Sequence, residues 1–141
     1  METKIESLTI GKVARLAEIG VETMRFYERE GLIESPPRRA SGYRQYPSDT
    51  VDRVRFIKRA KALGFSLREI KELLSLRAAP RTKCTDIRQR ALRKIQDIDE
   101  KTDTLRRMRK ALTKLVAECE GSRPVTECPI LASLSTQKEK P

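Results

Sequence analysis

Three cysteines are the residues of this chain best equipped for chemistry: Cys84, Cys119 and Cys128, in a sequence that contains no histidine. Cys84 and Cys119 are separated by 35 residues (119 − 84), which is five heptads, so a supercoiled helix would carry both on one face. Between them Ile87, Ala91, Ile95, Ile98, Leu105, Met108, Leu112, Leu115 and Val116 recur at steps of mostly three or four residues, with charged residues in the gaps. That is the pattern of an amphipathic helix or coiled-coil seam, and neither Pro nor Gly interrupts it before Gly121. At about 1.5 Å per residue, a straight helix of this length holds its two end thiols roughly 52 Å apart. One chain cannot bring them together, but two chains can. If the helices pair antiparallel, Cys84 of one protomer lies beside Cys119 of the other, and Cys128 is near enough in sequence to fold back over that end. The spacing therefore predicts two composite three-thiol sites, one at each end of a symmetric dimer helix. The competing readings are three small buried hydrophobes, and a redox switch that needs a pair within disulfide distance.

Thiolates are soft ligands, whereas imidazole would have widened the choice toward zinc or nickel. Three sulfurs without a nitrogen suit a thiophilic ion such as Hg(II) in trigonal geometry; a four-coordinate zinc site would need a carboxylate or water as its fourth ligand. Arg81, Lys83 and Arg88 flank Cys84, and Arg123 lies between the other two cysteines, so the setting is cationic. The absence of histidine as a general base, of a Gly-rich phosphate loop and of a paired-carboxylate motif argues against an enzyme.

The elements that must position these thiols follow from the rest of the chain. With 141 residues, 4% aromatics and no Trp, a monomer would have a thin core, and dimerisation would supply missing burial. The first six residues have no apolar secretory core, and no run approaches the roughly 18 apolar residues of a membrane span, which predicts a cytoplasmic protein with no membrane contact. In that compartment three cysteines point to free thiols or a metal site rather than a disulfide framework.

Residues 9–17 read as a first helix with Thr9 as N-cap, and a turn at Glu18-Ile19-Gly20 leads to a second from about Glu22 to Glu30, closed by Gly31. Two short helices across a tight turn predict a helix-turn-helix. Pro36-Pro37 stops any helix, and Ser41-Gly42 between Arg38-Arg39 and Tyr43-Arg44-Gln45-Tyr46 reads as a short basic hairpin, the wing of such a unit. A third helix is expected from Pro47 or Ser48 to Leu63, ended by Gly64. Ser66 and Glu69 form a capping box that opens a fourth, to about Arg77. The expected organisation is mainly α: a DNA-binding unit over 1–77, a linker over 78–83, a dimerisation helix over 84–120, and a loop, short helix and tail over 121–141.

The net charge of +11 favours a polyanionic partner but does not locate the surface that meets it. Residues 38–61 do so more sharply: eight basic side chains (Arg38, Arg39, Arg44, Arg53, Arg55, Lys58, Arg59, Lys61) face two acidic ones, with Tyr43 and Tyr46 interleaved. A surface of this kind could hold phosphates from several directions, the alternative being a solvated basic face.

Taken together, Thr9-Ile10-Gly11-Lys12-Val13-Ala14, the stretch Glu22 to Leu32 with its R-F-Y-E-x-x-G-L signature, Gly42 to Tyr46, and Leu63 to Ile70 resemble the MerR family of bacterial transcription regulators over roughly residues 8–134. The resemblance implies a winged helix-turn-helix followed by a long antiparallel dimerisation helix. It implies a homodimer on a palindromic site in double-stranded promoter DNA, acting with RNA polymerase. The complex would repress without its inducer, and activate by untwisting the duplex once the inducer binds. It places Thr23 and Arg25 on bases or phosphates, Tyr27 on phosphate, Tyr43 and Arg44 on the backbone from the wing, and Lys58 and Lys61 on the backbone from the third helix. Phe26 and Leu32 read as core. The stretch Cys128-Pro129-Ile130-Leu131-Ala132-Ser133-Leu134 is similar to the metal-sensing branch and, within it, to the mercury-responsive type. It implies Cys84 from one protomer and Cys119 and Cys128 from the other as ligands for Hg(II), with Pb(II), Cd(II) and Zn(II) as alternatives.

Overall fold

The computed structural model describes residues 8–36 and 45–135. The expected wing residues Arg38, Arg39, Ser41, Gly42, Tyr43 and Arg44 lie outside them, as do the first seven residues and the tail from 136 onward. Among the described residues the chain forms α1 (Ile10–Ala17), α2 (Val21–Arg29), α3 (Asp49–Ala62), α4 (Leu67–Ala78), α5 (Cys84–Glu118), a 3-10 turn (Val125–Glu127) and α6 (Pro129–Ser135). Each expected helix is present, with ends shifted by one or two residues. The β pairing in the described residues is a single antiparallel bridge, Leu8 to Tyr46, with backbone bonds of 2.8 and 2.7 Å.

The chain divides into two compact units, residues 1–94 and 95–141, and α5 begins in the first and continues through the second. In the first unit α1 packs on α2 and α3, and α3 packs on α4. Their shared core holds Val13, Met24, Leu32, Tyr46, Val54, Ile57 and Ile70, each within 1% of complete burial. Phe26 packs against this core and Leu32 lies inside it, as expected.

Local signals set the helix ends. The Thr9 hydroxyl accepts from the Lys12 N–H at 3.2 Å, satisfying one orphan donor of α1. Both halves of the Ser66–Glu69 capping box form, at 3.2 and 2.8 Å. At the end of α2 the N–H groups of Gly31 and Leu32 donate to the carbonyls of Glu28 and Tyr27, and Gly31 takes φ +76°, a conformation that glycine adopts without strain. A matching pair of hydrogen bonds closes α1, but there the left-handed residue is Glu18, at φ 58°. Gly20, the expected turn residue, is instead the extended N-cap of α2.

The second unit exposes apolar surface. Ile95, Ile98, Leu105, Met108, Leu112 and Val116 of α5 are all 43% or more exposed in the single chain. Beyond Glu118 the helix tightens, with the Cys119 N–H donating to Val116 at 3.1 Å, and Gly121 turns the chain away at φ +78°. No helix among the described residues is long and apolar enough to cross a membrane.

Candidate metal centre and nucleic-acid interface

All three cysteines are free thiols. Cys84 is the first residue of α5 and exposed; Cys119 directly follows the last residue of α5 and is half-buried. Cys128 is also half-buried, where its N–H donates to Val125 and its carbonyl accepts from Ala132, so it joins the 3-10 turn to α6. Among the described residues of the single chain, no three His, Cys, Asp or Glu side chains converge on a common point.

In the first unit, Cys84 lies at the rim of a largely apolar cleft of about 770 Å³, which α3, α4 and the start of α5 enclose with Phe56, Leu63, Phe65, Leu73, Leu76 and Ile87. Lys94 lies three turns along α5 and is 7% exposed; among the described residues it is the charged side chain in the interior. Its Nζ is 2.7 Å from Glu69 Oε1 and 5.7 Å from the centre of the Phe65 ring. That cation and the Ser66 N–H hold the Glu69 carboxyl well below the usual range, at about 2, with the Lys94 hydrogen bond the larger cause. One turn earlier on α5, Arg90 pairs with Glu72 of α4.

On the expected DNA face, α2 presents Arg25, which is exposed and 3.3 Å from Glu22, and Thr23, which is half-buried. Lys61 is exposed on α3. Two tyrosines beside this face pack into the core. Tyr27 is a core residue, 3% exposed, and burial pushes its phenol pKa up. Tyr46, read with the basic hairpin, is 1% exposed, and its hydroxyl donates to the Glu28 carboxylate. The basic window is also partly committed inside the chain. Arg53 donates to the Leu32 carbonyl at 2.7 Å, Arg55 to Leu16 at 3.0 Å and Lys58 to Glu18 at 2.8 Å. Arg55 and Lys58 thus satisfy carbonyls around the end of α1, while both side chains stay exposed. Their i, i+3 spacing on α3 was the available signal for this shared task. The Glu69–Lys94 pair was missed, because Lys94 sits among charged neighbours in a stretch whose polar residues all read as solvated.

A head of short helices is followed by an α5 of 35 residues with free thiols at or beside both of its ends. The chain belongs to the MerR family. The family profile described as "MerR HTH family regulatory protein" matches residues 8–76, and the one described as "MerR, DNA binding" matches residues 51–115. The chain is 44% identical over 139 residues to a mercuric resistance operon regulatory protein of Serratia marcescens, covering 99% of this chain and 95% of that one. It is 42% identical over 125 residues to the protein of the same name from Bacillus cereus, covering 89% and 95%. Among solved structures it is similar to the transcription regulator PbrR691 of Ralstonia metallidurans CH34 in complex with lead(II), with a TM-score of 0.80, 34% identity, and 91% and 99% of the two chains covered.

Proposed function

We propose that this protein is a metal-responsive transcription regulator that works as a homodimer on promoter DNA, with Hg(II) as its inducer. The observation that carries the reading is one column of α5. Stepping by sevens from Cys84 meets Ala91, Ile98, Leu105, Leu112 and Cys119, apolar at each interior position and sulfur at both ends. Ile98, Leu105 and Leu112 of this column are exposed in the single chain, a face that a partner helix would cover. Setting two copies antiparallel with Cys84 opposite Cys119 brings Ala91 against Leu112 and Ile98 against Leu105. The flanking positions also match, Ile87 with Val116 and Ile95 with Met108. Apolar residue meets apolar residue at each of these four pairs, and Thr102 meets Lys101 at the centre.

The donor set fits a thiophilic ion. Three free thiols are available and the chain offers no imidazole. Cys84 of one protomer with Cys119 and Cys128 of the other would hold the ion, and the ion supplies a bond between subunits. The similarity to mercuric resistance regulators favours Hg(II); the similarity to a lead(II)-bound regulator keeps Pb(II) as the second reading, with Cd(II) and Zn(II) behind it. In this account residues 1–77 are the DNA-binding head. Thr23, Arg25 and Lys61 contact the duplex, joined by the Tyr27 hydroxyl from α2, by Lys58 from α3 and by Tyr43 and Arg44 from the wing. An inducer shifts the balance between two dimer states only by its affinity difference between them, and a site drawing on both subunits has that difference. The change in head orientation is read by the polymerase as DNA twist.

The test is a titration of operator-bound protein with Hg(II), Pb(II), Cd(II) and Zn(II), following untwisting with a fluorescent base analogue at the operator centre. Untwisting is expected at the lowest concentration for Hg(II). Cys→Ser at any of the three positions is expected to abolish it while leaving metal-free operator affinity intact. Variants that still respond fully would overturn the thiol site.

A further inference from the structure

The covalent link between head and arm is short and exposed: Ala79, Pro80 and Arg81 carry little packing. Long side chains do the fastening. Lys94 reaches Glu69 at the first turn of α4, and Arg90 reaches Glu72 one turn further along α4. Of the two pairs, Lys94–Glu69 is the buried one, and it stands at a junction. Its carboxylate also caps α4 through the Ser66 N–H, and its ammonium lies over Phe65. The Lys94 stem passes Gly64, the left-handed residue that ends α3, so closely that a Cβ there would lie 3.9 Å from its Cδ. Three helix ends or turns, the close of α3, the start of α4 and the third turn of α5, thus converge on one ion pair.

An interior ammonium is costly to desolvate, and hydrophobic residues of similar volume commonly serve stability as well or better. What an ion pair adds is direction: it is made in one relative setting of its two helices and lost in others. We infer that Glu69–Lys94 is the positioning contact that makes α4, and the head behind it, turn with the Cys84 end of α5. Without it, a displacement at Cys84 would be absorbed at residues 79–83 instead of reaching the DNA. Neither side chain touches the inducer or the duplex in this account. The inference rests on the proposed regulatory function and adds the residues that carry its signal.

Glu69→Gln is the discriminating variant, because glutamine keeps the capping box and removes only the charge. Lys94→Met keeps the stem over Phe65, and Lys94→Arg keeps the charge. Each is compared with the parent chain in three measurements: Hg(II) affinity from thiolate–mercury charge-transfer absorbance, metal-free operator affinity, and Hg(II)-dependent operator untwisting. Glu69→Gln and Lys94→Met are expected to hold both affinities within about threefold and to lose at least tenfold of the untwisting equilibrium, about 1.4 kcal/mol at 25 °C. Lys94→Arg is expected to retain most of it. Untwisting at the parental level in both charge-removing variants would overturn the inference. So would loss of operator or metal affinity in step with untwisting, since that is the mark of a folding contact. Failure of the parent chain itself to untwist DNA would instead remove the regulatory reading beneath it.

Discussion

At the scale of single residues, charge and backbone conformation give the sharpest expectations. The carboxyl of Glu69 is held at about 2 in the folded chain against an ordinary value of 4.5. Its contribution to stability is therefore present above pH 4.5, and is lost as the pH falls from there through about 2. Urea denaturation at pH 5 and pH 3 is expected to show a larger loss for the parent than for Glu69→Gln, with the two curves closer at the lower pH. Glu18 sits at φ 58° with an ordinary side chain, a setting that costs about 1–2 kcal/mol for an L-residue. Set against the added chain entropy of glycine, Glu18→Gly is expected to raise stability by roughly 0.5–1 kcal/mol, read from the urea midpoint at unchanged slope. The position was not legible as left-handed, because the glycine two residues later drew the turn to itself. The burial of Tyr27 and Tyr46 was not legible for a related reason. Nothing in the residues around them encodes burial, and only the fold shows that both rings close the small core of the head.

At the scale of elements, most of the architecture was readable, because each helix carries its own start or stop. Thr9, the Ser66–Glu69 box, Gly31 and Gly64 act within four or five residues and need no tertiary context. The span of α5 was readable too, since its apolar period is written in residue type. What pattern does not encode is which polar residue on that helix faces inward. Lys94 looks like its neighbours, and its burial follows only from where Phe65 and Glu69 lie. The seam carries its own prediction. A charge at the more exposed leucine of the column, Leu105→Lys, is expected to shift sedimentation equilibrium from dimer toward monomer and to weaken operator binding at least tenfold, with the helicity of the head preserved. A stable dimer of unchanged operator affinity would mean that subunits associate through another face.

At the scale of the whole molecule, the proposed regulator would join a helix-turn-helix head to an arm whose thiols serve a partner chain. The central claim is that crossed arrangement, and mixed dimers test it most directly. A Cys84→Ser chain lacks the first ligand of each site, and a chain with both Cys119→Ser and Cys128→Ser lacks the other two, so neither homodimer can assemble three sulfurs. Co-refolded heterodimers, purified through two different tags, contain one complete site if the ligands cross between subunits. The thiolate–mercury charge-transfer signal is expected to return to one tight site per heterodimer while staying weak in both homodimers. A heterodimer as weak as its parents would contradict the account and place the three thiols of each site on a single chain.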